Sequence, residues 1–277
     1  MKDILVYTEK LQDWSPAVTY AAGLAATFDA TLTGLHVCVS PMTTMPPYDA
    51  PGVMENLLED IRAREDDAFA AGDSFIARAT GSGVPRAAWQ VATGYLPSVL
   101  ERIGNWQDLL VLERTANAPW GTTPAISRIL LTAGLPCIML PTGYEQAFSL
   151  DCIALAWNGA AEAVRAIHAA LPLIRRAKRV LLLQGESRPE FSVSEISWRP
   201  EFDIFHYLRQ HGAQVEQHPL VTSGRDAGVA LLDAADQHGA DLLVMGAWGR
   251  TRFSEWMLGG ATRHVLNHAG IPVFMRH

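Results

Sequence analysis

The sequence predicts an α/β fold made of two tandem domains, residues 1–146 and 147–277, each a five-stranded parallel sheet with helices on both faces. Three observations predict it. Strand-like and helix-like segments alternate five times in each half, the pattern of βα units joined by right-handed crossovers. The length, 277 residues, exceeds what a single core usually holds. Residues also repeat: Asp108-Leu109-Leu110-Val111-Leu112 matches Asp241-Leu242-Leu243-Val244-Met245 at an offset of 133, and Ala133-Gly134-Leu135-Pro136-Cys137 matches Ala269-Gly270-Ile271-Pro272-Val273 at 136. At the first strand, Ile4 against Ile153, the offset is 149, so the first half carries sixteen more residues before its fourth strand.

Each element has a local reason. Asp3 to Thr8 is a strand, and Ser15 to Phe28 a helix with Ser15 as N-cap and Pro16 at the first helical position. Thr31 to Val39 is a strand. Pro41 to Gly52 has four prolines and no period, hence a loop or lid. Val53 to Ala79 has helical spacing with an acidic face; Val84 to Val91 is a strand, Tyr95 to Ile103 a helix, Asp108 to Leu112 a strand, Thr123 to Ala133 a helix and Pro136 to Leu140 a strand. The second half repeats the order. Asp151 to Trp157 is a strand, Ala160 to Ile174 a helix interrupted by Pro172, Lys178 to Gln184 a strand, 185–195 a loop and Ile196 to His211 a helix. Gln214 to Val221 is a strand, Ala227 to His238 a helix, Asp241 to Met245 a strand, Ala261 to His268 a helix and Ile271 to Met275 the last strand.

Composition narrows the function. The apolar runs are far too short to span a bilayer, and Met1-Lys2-Asp3-Ile4 enters a strand at once, so no signal or transit segment is expected. Cys38, Cys137 and Cys152 have no CxxC or zinc-finger spacing, and they read as small buried hydrophobes of a cytoplasmic protein. The net charge of −7 is unevenly placed: residues 1–146 hold 9 Lys+Arg against 16 Asp+Glu, and residues 147–277 hold 13 of each. This balance excludes nucleic acid as a partner and leaves the second half the better host for an anion.

The chemistry points to one stretch. Gly246, Gly249, Gly259 and Gly260 follow a buried strand and precede a helix, where backbone N–H groups and the positive end of the helix dipole favour a phosphate. Glycine also serves strand-to-helix turns for steric reasons alone. Arg250, Arg252 and Arg263 flank the stretch and have the forked donors that pair with phosphate oxygens. Seven of nine histidines lie beyond residue 200, and His264 and His268 are four apart, yet no HExxH or neighbouring carboxylate makes them a metal pair. Gly72-Asp73-Ser74 falls inside a helical stretch and not after the first strand, so it is no esterase signature. Neither GxSxG nor G-x-x-x-x-G-K-[ST] occurs.

These residues resemble the universal stress proteins in a tandem two-domain form, with an adenine-nucleotide alpha hydrolase-like fold. The family's ATP-binding pattern is Gly-x2-Gly-x9-Gly-Ser/Thr between fourth strand and fourth helix. Gly246-Ala247-Trp248-Gly249, nine residues Arg250 to Leu258, and Gly259 reproduce its spacing, while Gly260 stands where the hydroxyl is expected. The resemblance implies that Gly246, Gly249, Gly259, Gly260 and Ala261 hold phosphates through backbone N–H groups, with Arg250 beside them, and that Trp157 and Asn158 face the nucleoside. Asn158 stands where the family has an acidic residue. Asparagine also serves turns, and Trp157 also suits core packing. The first domain has Glu113 and Ala116 at the positions of Gly246 and Gly249, so it is expected to be a degenerate copy.

The resemblance further implies an intrachain pseudo-dimer through the fifth strands, a homodimer as a further option, and ATP, with or without Mg, as ligand. It implies a stress-response or regulatory role with at most slow ATP hydrolysis. The rival reading is a stress-related interaction protein that binds no nucleotide and whose glycine loop is only structural. A pyrophosphatase-type enzyme would need an SGGxDS-like loop, which Trp157-Asn158-Gly159-Ala160 does not supply.

Overall fold

The computed structural model describes residues 1–38, 51–115, 121–185, 203–220, 226–247 and 260–277. The chain divides into two compact units, Met1–Phe148 and Ser149–His277. The first contains β1 (Asp3–Tyr7), α1 (Pro16–Phe28), β2 (Thr31–Cys38), α2 (Pro51–Ala70), α3 (Gly72–Gly81), β3 (Arg86–Thr93), α4 (Leu96–Ile103), β4 (Leu109–Glu113), α5 (Thr123–Thr132) and β5 (Cys137–Leu140). Its strands lie in the order β3-β2-β1-β4-β5, and the pairings between these neighbours are all parallel. Crossovers run outward from β1 to β3 and then back through β4 to β5. Right-handed connections in both directions place α1 to α3 on one face and α4 and α5 on the other.

The second unit repeats this with β6 (Cys152–Trp157), α6 (Ala161–Ile174), β7 (Arg179–Gly185), α7 (Ile204–Gln210), β8 (Val215–Leu220), α8 (Ala227–Gln237), β9 (Leu242–Gly246), α9 (Gly260–His268) and β10 (Val273–Arg276). Its order is β8-β7-β6-β9-β10, again parallel. Central strands are apolar throughout because helices cover both faces: Ile4, Leu5, Val6, Leu109 and Val111 in one unit, and Ile153, Ala154, Leu155, Leu242 and Leu243 in the other, are buried.

Several local expectations hold atom by atom. Ser15 caps α1, its hydroxyl accepting from Val18 N at 3.4 Å, with Pro16 in the first turn. The helix expected over Val53 to Ala79 is instead two, α2 and α3, parted at Ala71. Its cause lies on β3. The Trp89 indole N–H donates to the Ala68 carbonyl at 2.8 Å, the acceptor that the Gly72 N–H would use in an unbroken helix. A Cβ at Gly72 would meet that same indole at 2.9 Å. α2 also begins at Pro51, two residues inside the expected proline-rich loop, whose residues 41–50 lie outside the described set, as do 186–202, 221 and the start of the helix expected from Ile196. Pro172 does not interrupt α6, which continues to Ile174. It sits in the last turn, where only the bond to the His168 carbonyl is forfeited.

The residue repeat has a structural cause. Asp108 Oδ2 accepts the backbone N–H groups of Lys2 and Asp3 at the start of β1, and Asp241 Oδ2 accepts that of Cys152 at the start of β6 at 2.7 Å. In return Asp108 N donates to Asp3 O and Asp241 N to Cys152 O, each at 2.8 Å. Each aspartate therefore staples the beginnings of the two central strands of its sheet.

His36 on β2 gives the first unit a pH dependence. Its Nδ1 lies 3.0 Å from the Thr8 carbonyl and its ring stacks near Trp89. Burial pushes its pKa below the ordinary histidine value, against the opposing pull of the Thr8 carbonyl and Glu9. Above about pH 6.5 the ring is neutral folded and unfolded alike. As pH falls through that value the unfolded chain binds the proton first, so stability declines until the lower folded pKa is passed. Urea unfolding at about pH 7.5 and about pH 5.5 should show a loss on acidification that is smaller in His36→Gln; an equal loss in both proteins would remove His36 as its source.

Candidate functional site

The chain leaves β6 toward β7 and leaves β9 toward β10, in opposite directions across the second sheet. The carboxyl ends of β6 and β9 therefore flank the crevice where open α/β sheets bind ligands. Half-buried Trp157 ends β6 and exposed Asn158 follows it. The Asn158 side-chain oxygen accepts from Ala160 N at 3.0 Å, and Gly159 takes a left-handed φ of 74°, so Asn158 closes the turn into α6. That carbonyl oxygen is committed to the backbone.

Gly246 ends β9, where a Cβ would lie 2.6 Å from the Glu162 carbonyl carbon and 2.7 Å from Ala163 N. Close passage of α6 thus demands glycine at 246 whatever binds nearby. Ala247 is buried, and its N–H donates to Arg276 O at 2.9 Å. Trp248, Gly249, Arg250, Arg252 and Gly259 lie outside the described residues. Gly260 opens α9 and is exposed, with Ala261 next in its first turn, where intrahelical partners for N–H groups are lacking. Thr262 is buried and Arg263 exposed.

Charged groups not singled out in the sequence gather at this end of the sheet. Glu162, in the first turn of α6, pairs with Arg165 at 3.5 Å, while its Oε2 is buried with no partner among the described residues. Arg276 is the register partner of Gly246, so its side chain leaves the sheet on the face covered by α6. Burial, and then repulsion from Arg165, holds its guanidinium below the usual arginine range. Across the crevice Asp226 caps α8, its Oδ1 accepting from Gly228 N at 2.7 Å. Its other oxygen, Oδ2, lies 3.8 Å from where a Cβ of Gly260 would stand. The helix is expected from Ala227 with no role given to Asp226, whose approach to Gly260 joins segments far apart in the chain.

The remaining candidates have structural partners. His264 and His268 stack at 4.3 Å, with His268 Nδ1 2.9 Å from the His264 carbonyl. Among the described residues no group of three potential ligands could hold a metal ion. In the first unit Glu113 Oε1 accepts from Gly143 N at 3.3 Å, and Ala116 lies outside the described residues.

The sequence of residues 151–277 matches the Universal stress protein family. Residues 151–277 are a universal stress protein domain. The two-unit α/β fold extends beyond that domain: a universal stress protein from Archaeoglobus fulgidus DSM 4304 matches 99% of this chain and 96% of its own, with a TM-score of 0.69 and 13% identity. The functionally unknown protein PA1789 from Pseudomonas aeruginosa PAO1 matches 99% of this chain and 91% of its own, at 0.57 and 17%. At these identities the likeness is one of fold. A universal stress protein in complex with cAMP matches 50% of this chain and 96% of its own at a TM-score of 0.35 and 17% identity, a likeness that carries nothing to this chain. None of the curated proteins matches. Among the described residues of both units no helix is long and apolar enough to cross a membrane.

Proposed function

We propose that the universal stress protein domain binds an adenine nucleotide, ATP with or without Mg, at the carboxyl end of its sheet. Its role there is regulatory, in a stress response, and rests on binding more than on turnover. The observation that carries this reading is the placement of the Gly-x2-Gly-x9-Gly spacing. It starts at the end of β9, beside the point where strand order reverses, and leads into the first turn of α9. Gly249, Gly259, Gly260 and Ala261 supply N–H groups to phosphates, with Arg250 beside them. Arg276 and Arg165 add positive charge behind Gly246. Trp157 offers its half-buried ring to the adenine, and Asn158 borders the nucleoside. Gly246 supports the site by admitting α6, and the Ala247 N–H is already bonded within the sheet.

One observation favours a second reading, a stress-related interaction protein that binds no nucleotide. Packing of Gly246 on α6 accounts for that glycine without any ligand. Isothermal titration with ATP, ADP and AMP, with and without magnesium, separates the two. Binding at a stoichiometry near one per chain is expected, with the first unit silent. Nucleotide at ten times its Kd should stabilise the protein by about 1.4 kcal/mol. No heat and no thermal shift at millimolar nucleotide would leave the interaction protein as the reading.

A further inference from the structure

α8 and α9 approach each other unusually closely at their beginnings. A Cβ at buried Gly228 would meet His264 Cβ at 2.7 Å and the Ala261 carbonyl oxygen at 2.9 Å, so only glycine lets the two helices meet there. This contact fixes the residue that caps α8. Asp226 Oδ1 is held by Gly228 N at 2.7 Å, which turns Oδ2 toward the first residue of α9. Gly260 has no side chain to screen it: a Cβ there would have Asp226 Oδ2, at 3.8 Å, as its nearest contact among the described residues. A fixed negative charge therefore stands at the positive end of the α9 dipole, the place a phosphate would take.

We propose that Asp226 is a specificity-determining residue, a built-in carboxylate that offsets the α9 N-terminus and narrows the margin by which ATP outbinds adenine compounds with less phosphate charge. The inference rests on the nucleotide reading above. Like charges at the mouth of the crevice repel, and the repulsion grows with each phosphate added. Adenosine is indifferent to it. ATP loses much of the advantage that three phosphates give at a helix N-terminus, and Mg, by neutralising the chain, restores part of it.

Asp226→Asn is the decisive variant, because asparagine caps a helix as well as aspartate and only the charge is removed. Asp226→Ser, which also caps, is the second. ATP and adenosine are titrated into the full chain and into each variant. Since Asp226 is exposed and screened, both variants should bind ATP about fivefold more tightly at low salt while adenosine is unchanged. The gain should shrink in about 0.5 M salt. Binding of both ligands with an unaltered ATP-to-adenosine ratio would overturn this inference and leave the nucleotide reading standing. Absence of binding by either ligand to any of the three proteins would overturn both.

Discussion

Gly246→Ala should destabilise the universal stress protein domain by about 1–3 kcal/mol with no nucleotide present, the cost of forcing extra volume into a packed contact. The added methyl would stand 2.6 Å from the carbonyl carbon and 2.7 Å from the Cβ of Glu162, and 2.7 Å from Ala163 N. Two of these three atoms are backbone, which cannot swing aside as a side-chain tip can, so α6 or β9 must shift. In a chain of this size each kcal/mol lowers the melting temperature by about 2–4 °C. Differential scanning fluorimetry without ligand reads the effect directly. A variant that melts with the parent but no longer binds nucleotide would move Gly246 from scaffold to binding surface.

Asp241→Ala should cost about 1.5–3 kcal/mol, the range for a hydrogen bond to a charged group. Its carboxylate accepts the Cys152 N–H at 2.7 Å and lies 3.5 Å from the Ser149 hydroxyl. Alanine leaves those donors at the entrance to the central strand without their acceptor. Asp241→Asn keeps an acceptor of the same shape and should recover part of the loss. Urea denaturation of the three proteins provides the comparison; an alanine variant with an unchanged midpoint would reduce the carboxylate to a bystander of strand pairing.

Much of the fold was legible because its causes are local. Ser15-Pro16 announces α1, and short apolar runs between helical spacings announce the strands. What escaped depends on partners distant in sequence. Gly72, the one glycine between Val53 and Ala79, does not by itself place a break at Ala71, since the break answers to Trp89 on another element. The repeated Asp-Leu-Leu-Val was visible as a repeat, but not as two carboxylates binding backbone across a sheet.

At the site, the glycine spacing could be read while the division of labour could not. Gly246 proves to be shaped by α6, and Asn158 gives its carbonyl oxygen to Ala160. Asp226 reaches Gly260 only because Gly228 lets two helices touch. Each of these roles is a distance between residues far apart along the chain, and periodicity holds no record of such distances.

The aspartate staples also bear on how long the folded state lasts. Asp108 and Lys2 are 106 residues apart, and Asp241 and Cys152 are 89 apart. Contacts of such span close large loops, whose entropy grows with the logarithm of their length, and topologies rich in them fold slowly. The central seam of each unit therefore joins late, since it pairs the strands most widely separated in sequence. In the second unit the candidate site lies at the other end of that same seam, between β6 and β9. A ligand bridging those strand ends would act as a latch on a joint that is slow to form. Its presence would be registered chiefly as a longer lifetime of the native state, measured in slower unfolding and slower proteolysis.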